Sequence, residues 1–457
     1  MDRTSQLEQL ILSGKRAHLV GIGGVSMSPL ASVLAKYVPL SGSDIRESTV
    51  IEDLRSKGIT VHIGHSAENV TGADFVIRTA AAREDNPEII YARENSIPVF
   101  ERAEAWGVIM RNYKNALCIS GTHGKTTTTS MATHILMAAH ADPTVMIGGT
   151  LPLIHAGYRV GGGDTIVLES CEYYDSFLSF FPTVAVVLDI DADHLDYFKD
   201  LDAIKVSFRR FASLVPDKTG FVIYNCDDAN TVEALSGLER KLVSFGLGEN
   251  ALVRAANITH SDNVTEFDIL ANGENYSHVS LHVPGLHNVK NALAAAAAAW
   301  VLGIDGDAVS RGLSTFGGAE RRFQYKGSCN GALVYDDYAH HPQELHALID
   351  AVLPLRKNRV IIAFQPHTYT RTKALFSDFV SELSRCDKVF LAEIYAAREQ
   401  NTVGISSADL QKELPGSVFC PTFPELAAAL EREAQPGDII LTVGAGDIYT
   451  VGEMIAK

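Results

Sequence analysis

The stretch 119-ISGTHGKTTTTSM-131 sets two glycines, a lysine and four consecutive threonines directly after a short apolar run, Ala116-Leu117-Cys118-Ile119. That order suits phosphate chemistry. Glycines let backbone N–H groups turn toward phosphate oxygens, Lys125 can reach terminal phosphates, and the Thr126 hydroxyl can hold Mg²⁺. The candidate loop comprises Gly121, Thr122, His123, Gly124, Lys125, Thr126 and Thr127. Ile119 stands where the common phosphate-loop spacing wants glycine, so the loop is shorter than usual. On these residues alone, an ordinary strand-to-helix turn with a solvated lysine is the alternative.

A second loop, 21-GIGGVSMS-28, offers Gly21, Gly23 and Gly24 for a tight turn and a helix start that favours a diphosphate. Ser26 replaces the third glycine of the dinucleotide fingerprint, and Asp44, next to Ser43, ends the following strand where a ribose-binding acid would sit. An NAD-dependent dehydrogenase and a simple packing turn are both rivals here. Two phosphate-friendly loops in different segments suggest two phosphorylated ligands, one per domain. Near the first loop, Glu169 ends one apolar run and 189-DIDADHLD-196 ends the next. In parallel sheets ligands gather at such ends, which would bring Glu169 and His194 to Lys125 and Thr126. The carboxylate and hydroxyl suit Mg²⁺. A capping acid at 169 and a hydrogen-bonded structural histidine at 194 are the plain alternatives. Most of Asp189, Asp191, Asp193 and Asp196 read as solvated, and 340-HH-341 with Asp337 lacks the partners of a zinc site.

The elements that must position these residues alternate between strand and helix. Apolar runs at 17–24, 40–44, 61–63, 74–79 and 97–101, with a helix over 27–37, predict a parallel sheet with crossovers. A second segment starts near Arg111, carries strands at 165–170 and 183–190 and a β-rich excursion from Thr231 to His278, and closes with a helix beginning near His287. A third starts near Gly317, with strands at 332–337, 359–365, 388–393 and 438–446. At 457 residues, about three α/β domains are expected.

Composition narrows the function. Net charge is −16, which opposes nonspecific nucleic-acid binding but leaves room for a local basic pocket. Apolar residues at 46 % with charged residues at 21 % support a sizeable core rather than disorder. Six scattered cysteines without CxxC suit a reducing cytosol. No signal peptide is expected from MDRTSQLEQL, and the run from Ala292 to Ile304 is too short for a membrane span. Neither nucleic acid nor membrane is an expected partner.

Together GIGGVSMS, SGSD, GTHGKTTTT, DADHLDYF, PGLHNVKNALAA, GAERRF, DDYAHHPQE and FQPHTYTRT resemble the ATP-dependent Mur ligases. DDYAHHP with QPHTYTRT is most similar to the member that joins L-alanine to UDP-N-acetylmuramate. A member adding a preformed peptide to the same sugar is the neighbouring alternative. The resemblance implies a Rossmann-like UDP-sugar domain over 1–110, a P-loop ATPase-like central domain with a mostly parallel sheet over 111–316, and a Rossmann-like amino-acid domain over 317–457. It implies a cytoplasmic enzyme, monomer or homodimer, using ATP and Mg²⁺. Lys125 and Thr126 match the ATP-loop lysine and the metal-binding threonine. Glu169 matches the metal-binding glutamate, and His194 the histidine of a second metal. Asn288 and Asn291 match the asparagines of the ATP site. Arg322 and Asp337 match residues that the third domain closes onto the nucleotide. His341, His367 and Arg371 would line the alanine pocket, with His341 or His367 accepting the amine proton. Two departures stand out. Thr368 follows the histidine of QPH where some relatives have arginine. The stretch 199-KDLDAIKVSFRRF-211 offers Lys205 and Arg209 but no clear equivalent of a carbamylated lysine.

Overall fold

The computed structural model describes residues 2–79, 81–195, 197–261, 264–397 and 399–457. Asp196 therefore lies outside the described residues. Contacts divide the chain into two units: Met1–Arg254 with Leu270–Tyr276 and Leu293–Gly312, and Ala255–Ile269 with Ser277–Ala292 and Leu313–Lys457.

In the first unit, β1 (Ala17–Val20), β2 (Leu40–Asp44), β3 (Thr60–Ile63), β4 (Phe75–Arg78) and β5 (Val99–Glu101) form a sheet in the order β3-β2-β1-β4-β5. Every pairing is parallel. The strand order reverses beside β1, which opens a crevice beyond its carboxyl end. β1 is buried throughout, so His18 within it must find polar partners. Its Nδ1 lies 3.0 Å from Ser41 Oγ, and its Nε2 3.6 Å from Oε1 of Glu88.

Glu88, on the helix Pro87–Glu94, is itself fully buried. Its carboxylate accepts from Ser43 Oγ at 2.6 Å and from Asn69 Nδ2 at 2.7 Å, and lies 2.9 Å from His65 Nδ1. Burial opposes its charge, but hydrogen bonds from His18, Ser43 and Asn69 outweigh that, and the carboxyl falls from 4.5 to about 2. A depressed folded value contributes stability above 4.5 that is lost as pH falls toward about 2. A shift of this size corresponds to about 3 kcal/mol. Glu88→Gln is therefore expected to lower the melting temperature at neutral pH and to flatten its dependence on acid. Melting curves of both proteins from about pH 6 to pH 2 test this; an equal deficit at every pH would show that the charge is not responsible.

A second sheet takes β6 (Asn115–Ser120), β7 (Thr144–Leu151), β8 (Ala156–Arg159), β9 (Thr165–Glu169), β10 (Val184–Val187), β11 (Phe221–Asn225) and β12 (Leu242–Gly246) in the order β12-β11-β10-β6-β9-β7-β8. Only β7 with β8 is antiparallel among these. β13 (Val253–Ser261), β14 (Val264–Ala271) and β15 (Glu274–Leu281) continue the order past β12. The β-rich excursion thus begins at Leu242 rather than Thr231. Residues Ala229–Leu235 are helical because Asp228 caps them, its carboxylate accepting from the Thr231 N–H at 2.8 Å. The Ala-rich run lies in the helix Leu286–Val301 and is buried from Ala292 to Ala299. Among the described residues no helix is long and apolar enough to cross a membrane.

In the second unit, β16 (Gln324–Cys329), β17 (Ala332–Asp337), β18 (Val360–Phe364), β19 (Lys388–Leu391), β20 (Val418–Phe419) and β21 (Ile439–Val443) run β16-β17-β21-β18-β19-β20, parallel except for β16 with β17. Alternation along β18 feeds two cores: Val360, Ile362 and Phe364 pack with Leu345, Ile349 and Phe379, while Ile361 and Ala363 pack with Leu426, Leu430 and Val451. β7, β8 and β16 escape a reading of the sequence because TVMIGGTL, AGYR and QYKGSC are glycine-bearing, short or polar.

Candidate active site

β6 ends at Ser120, and the chain turns through Gly121 (φ 149°) and Gly124 (φ 79°) into the helix Lys125–Ala138. Both angles favour glycine. A Cβ on Gly121 would also meet Leu188 Cβ at 2.7 Å and Asp189 Oδ1 at 3.0 Å. Asp189 braces the loop: its Oδ1 accepts from His123 N at 2.8 Å and its carbonyl from Thr122 N at 3.1 Å. Burial pushes its carboxyl up to about 6. Asp191 N takes the Thr122 hydroxyl as acceptor at 2.9 Å. These two aspartate positions are parts of the loop's support, which corrects the reading of most of the four aspartates in this run as solvated. Thr127 is buried on the first turn of the helix.

Lys125 lies over the loop. Its Nζ donates to Gly121 O, to Thr122 O at 3.1 Å and to Glu172 Oε2 at 3.1 Å. Burial alone would lower its pKa, but the charges of Glu172 and Glu169 reverse this and raise it. Thr126 Oγ1 donates to Glu169 Oε1 at 3.1 Å, and Glu169 Oε2 accepts from Gly148 N at 2.7 Å. Glycine in β7 gives this carboxylate its place, since a Cβ on Gly148 would stand 2.5 Å from Glu169 Oε1 and push the side chain aside. His194 (φ 54°) stacks on Tyr173, with ring centroids 4.4 Å apart, and its Nε2 lies 3.7 Å from Glu172 Oε1. The structure therefore brings Lys125, Thr126, Glu169 and His194 together as expected, and adds Glu172. That residue, 2 % exposed, faces both Lys125 and His194. Sequence reasoning missed it because CEYYDS carries no spacing signal. Lys205 pairs with Glu233 at 2.8 Å, and Arg209 donates to the carbonyls of Ala234 and Ser236.

Beyond β1, Gly21 (φ 78°) and Ile22 donate to Ser43 O at 2.9 and 3.0 Å, Gly23 N donates to Asp44 Oδ2 at 2.8 Å, and Gly24 N to Gly21 O at 3.1 Å. The loop is thus tied to the end of β2. Ser26 precedes the helix Met27–Leu34, and its Oγ accepts from Arg102, whose pKa burial lowers. Arg102 is a second residue that sequence reasoning missed. Ser43 faces away from the crevice, its hydroxyl buried against Glu88.

In the second unit, Asn288 and Asn291 share one helix face: Asn291 Nδ2 donates to Asn288 Oδ1 at 3.3 Å, and Asn288 Nδ2 to Pro284 O at 2.7 Å. Asp337, at the end of β17, accepts from Phe323 N at 2.7 Å and Ala339 N at 2.8 Å. Burial raises its carboxyl to about 6, partly offset by Arg322. Arg322 lies over the Tyr338 ring at 5.4 Å and 4.0 Å from Glu344 Oε1. His341 caps the helix Pro342–Val352, its Nδ1 accepting from Gln343 N at 3.3 Å. Past β18, His367 stacks beside Tyr395 with centroids 5.6 Å apart, and Arg371 Nη1 lies 3.2 Å from its Nδ1. Thr368 (φ 66°) starts the helix Tyr369–Ala374 that carries Arg371.

Three domain matches run in order along the chain: the Mur ligase family, catalytic domain over residues 16–114, the Mur ligase middle domain over 119–299, and the Mur ligase, glutamate ligase domain over 321–446. The chain belongs to the Mur ligase family and has its three-domain α/β fold. It is 45 % identical over 445 residues to the UDP-N-acetylmuramate–L-alanine ligase of Caldanaerobacter subterraneus subsp. tengcongensis, with 96 % of each chain covered. It is 44 % identical over 450 residues to the Clostridium perfringens ligase of the same name, covering 97 % of this chain and 98 % of that one. Among solved structures, the UDP-N-acetylmuramate-alanine ligase MurC of Thermotoga maritima superposes with TM-score 0.79 at 29 % identity over 96 % of this chain and 98 % of that one. A murein peptide ligase from Psychrobacter arcticus shares the fold, with TM-score 0.71 at 22 % identity over 97 % of this chain and 98 % of that one.

Proposed function

We propose that this protein joins L-alanine to the lactyl carboxylate of UDP-N-acetylmuramate at the expense of ATP, yielding ADP and phosphate. The near-full-length identity of 44–45 % to ligases of that name carries this reading. The product would enter peptidoglycan synthesis in the cytoplasm, and through it wall biogenesis, cell shape and cell division. We assign residues 1–110 to the UDP-sugar, 111–316 to ATP and 317–457 to the amino acid.

A carboxylate does not acylate an amine at neutral pH until it is activated. Transfer of the ATP γ-phosphoryl group makes an acyl phosphate, which the amine of alanine then attacks. Such a transfer depends on positioning and charge neutralisation. The turn through Gly121 and Gly124 leads into a helix start, which favours phosphates, and Lys125 presents a cation there. Thr126, Glu169, Glu172 and His194 would hold Mg²⁺; the hydroxyl and carboxylates form a hard oxygen set that suits this ion. Once bound, it would supply charge neutralisation at the phosphate oxygens. Gly21, Gly23 and Gly24, with Ser26, Asp44 and Arg102, would hold the diphosphate and ribose of the sugar nucleotide. We assign Asn288, Asn291, Arg322 and Asp337 to nucleotide binding, and Arg371 with His367 to the alanine carboxylate. A dehydrogenase reading leaves the Lys125, Thr126 and Glu172 cluster without a role.

The deciding experiment is an amino-acid panel with UDP-N-acetylmuramate and ATP, scored by phosphate release and product mass. L-alanine is expected to give the fastest release and a muramoyl-alanine product. Release that needs a preformed peptide would transfer the assignment to the neighbouring ligase.

A further inference from the structure

The acyl-transfer step needs a base. Alanine arrives as an ammonium ion, and one proton must leave before nitrogen can attack. His341 and His367 are the candidates drawn from the motifs, yet hydrogen bonding constrains both. An arginine side chain and a backbone N–H can only donate. Arg371 Nη1 stands 3.2 Å from His367 Nδ1, and Gln343 N donates to His341 Nδ1 at 3.3 Å. Each Nδ1 is thus an acceptor, and each neutral ring carries its proton on Nε2. Taking up another proton would place it on the nitrogen already facing a donor.

His340 is constrained the opposite way. Its Nδ1 lies 3.0 Å from Tyr338 O and 3.2 Å from Glu344 Oε2, and both can only accept. The Nδ1 proton is therefore fixed, and Nε2 carries the lone pair. The Nδ1–H is held by the Tyr338 carbonyl with the Glu344 carboxylate beside it, and a carboxylate on the Nδ1 side of a histidine is also found in the general-base arrangement of catalytic triads. Glu344 is anchored in turn by the N–H groups of His340 at 2.9 Å and His341 at 3.2 Å. The His340 ring packs 5.6 Å from that of His367, which sits beside Arg371.

We propose that His340 is the base that deprotonates the alanine ammonium, that Glu344 positions it, and that His367 donates from Nε2 to the alanine carboxylate alongside Arg371. This rests on the ligase reading above. His340 Nε2 takes one proton from the ammonium. The freed lone pair forms the C–N bond at the acyl carbon, the C–O bond to phosphate breaks, and phosphate departs with the bonding pair and the second nitrogen proton. Glu344, Tyr338 at 5.5 Å between rings, and His367 face His340, with Arg322 beyond Glu344 at 4.0 Å.

The test uses the full-length protein with all three substrates. His340→Ala is expected to lower kcat by about 10²–10⁴-fold and to abolish the fall in rate on the acid side, where a protonated base is idle. Glu344→Gln, which removes the neighbouring negative charge, moves that fall to lower pH. His367→Ala instead raises KM for L-alanine by about tenfold. His367→Gln, which keeps an N–H donor but no base, recovers most of that loss. A His340→Ala enzyme with normal kcat and an intact acid limb overturns the proposal, as does a His367→Gln enzyme that loses the limb. ¹⁵N-histidine spectra of the unmodified chain give an answer independent of variant folding. A proton on Nδ1 of His340 and on Nε2 of His367 is expected, and the reverse overturns the assignment. Wild-type protein showing no alanine-dependent phosphate release would instead refute the ligase reading.

Discussion

Lys125→Ala is expected to lower ADP formation by at least about 10³-fold, a loss on the scale seen when a transition-state charge partner is removed. The ammonium sits at the start of a helix, over a turn whose conformation favours glycine at 121 and 124. Acids surround it and raise its pKa, so it is charged at any pH at which the protein works. Phosphoryl transfer concentrates negative charge on oxygens that would lie at this point, and alanine leaves no group to balance it. The same substitution leaves the buried Glu172 without its cation at 3.1 Å. Steady-state ADP release in the presence of both co-substrates measures the effect. Near-normal turnover would remove the loop from the catalytic machinery.

The second large effect is expected at Glu172. Glu172→Gln keeps the shape of the side chain but removes the charge that faces Lys125 at 3.1 Å and His194 at 3.7 Å. We expect kcat to drop at least about 10²-fold, by analogy with other lost electrostatic groups. Breaking a buried pair also costs stability, about 3–5 kcal/mol where a charge is left uncompensated. A purely structural role would lower the melting temperature and leave the metal requirement alone. A role in holding Mg²⁺ would raise the concentration needed for half-maximal rate, so the diagnostic measurement is rate against Mg²⁺ for both proteins. An unchanged magnesium curve would exclude Glu172 from the metal site.

Much of the architecture was legible because parallel strands buried on both faces read as continuous apolar runs. AHLV, TIVLE, VAVV, VIIAF and IILTV are all strands in the structure. The exceptions are instructive. TVMIGGTL is a strand despite its glycines, because it pairs with β9 and β8, and Gly148 lies against the Glu169 carboxylate. Ala229–Leu235 is helical because Asp228 caps it. Among site residues, Lys125, Thr126, Glu169 and His194 could be named from motifs, and the fold brings them together. Ser43 was grouped with the substrate residues from its place beside Asp44, yet its hydroxyl turns inward to Glu88 at 2.6 Å.

By itself the sequence determined the local geometries: which turns need glycine, which runs become buried strands, where helices begin, and which family the motifs resemble. Those properties depend on residues within a turn or two of one another, so adjacent letters encode them. Only the tertiary structure decided that Glu172 meets Lys125 from 47 residues away, that Arg102 reaches Ser26 from 76 away, and that Glu88 gathers His18, Ser43 and His65. It also set the hydrogen-bond partners of His340, His341 and His367, from which the proposed protonation of each ring follows. Strand order and loop packing bring such partners together, and a hydrogen bond assigns a proton only when its donor and acceptor have been placed within reach.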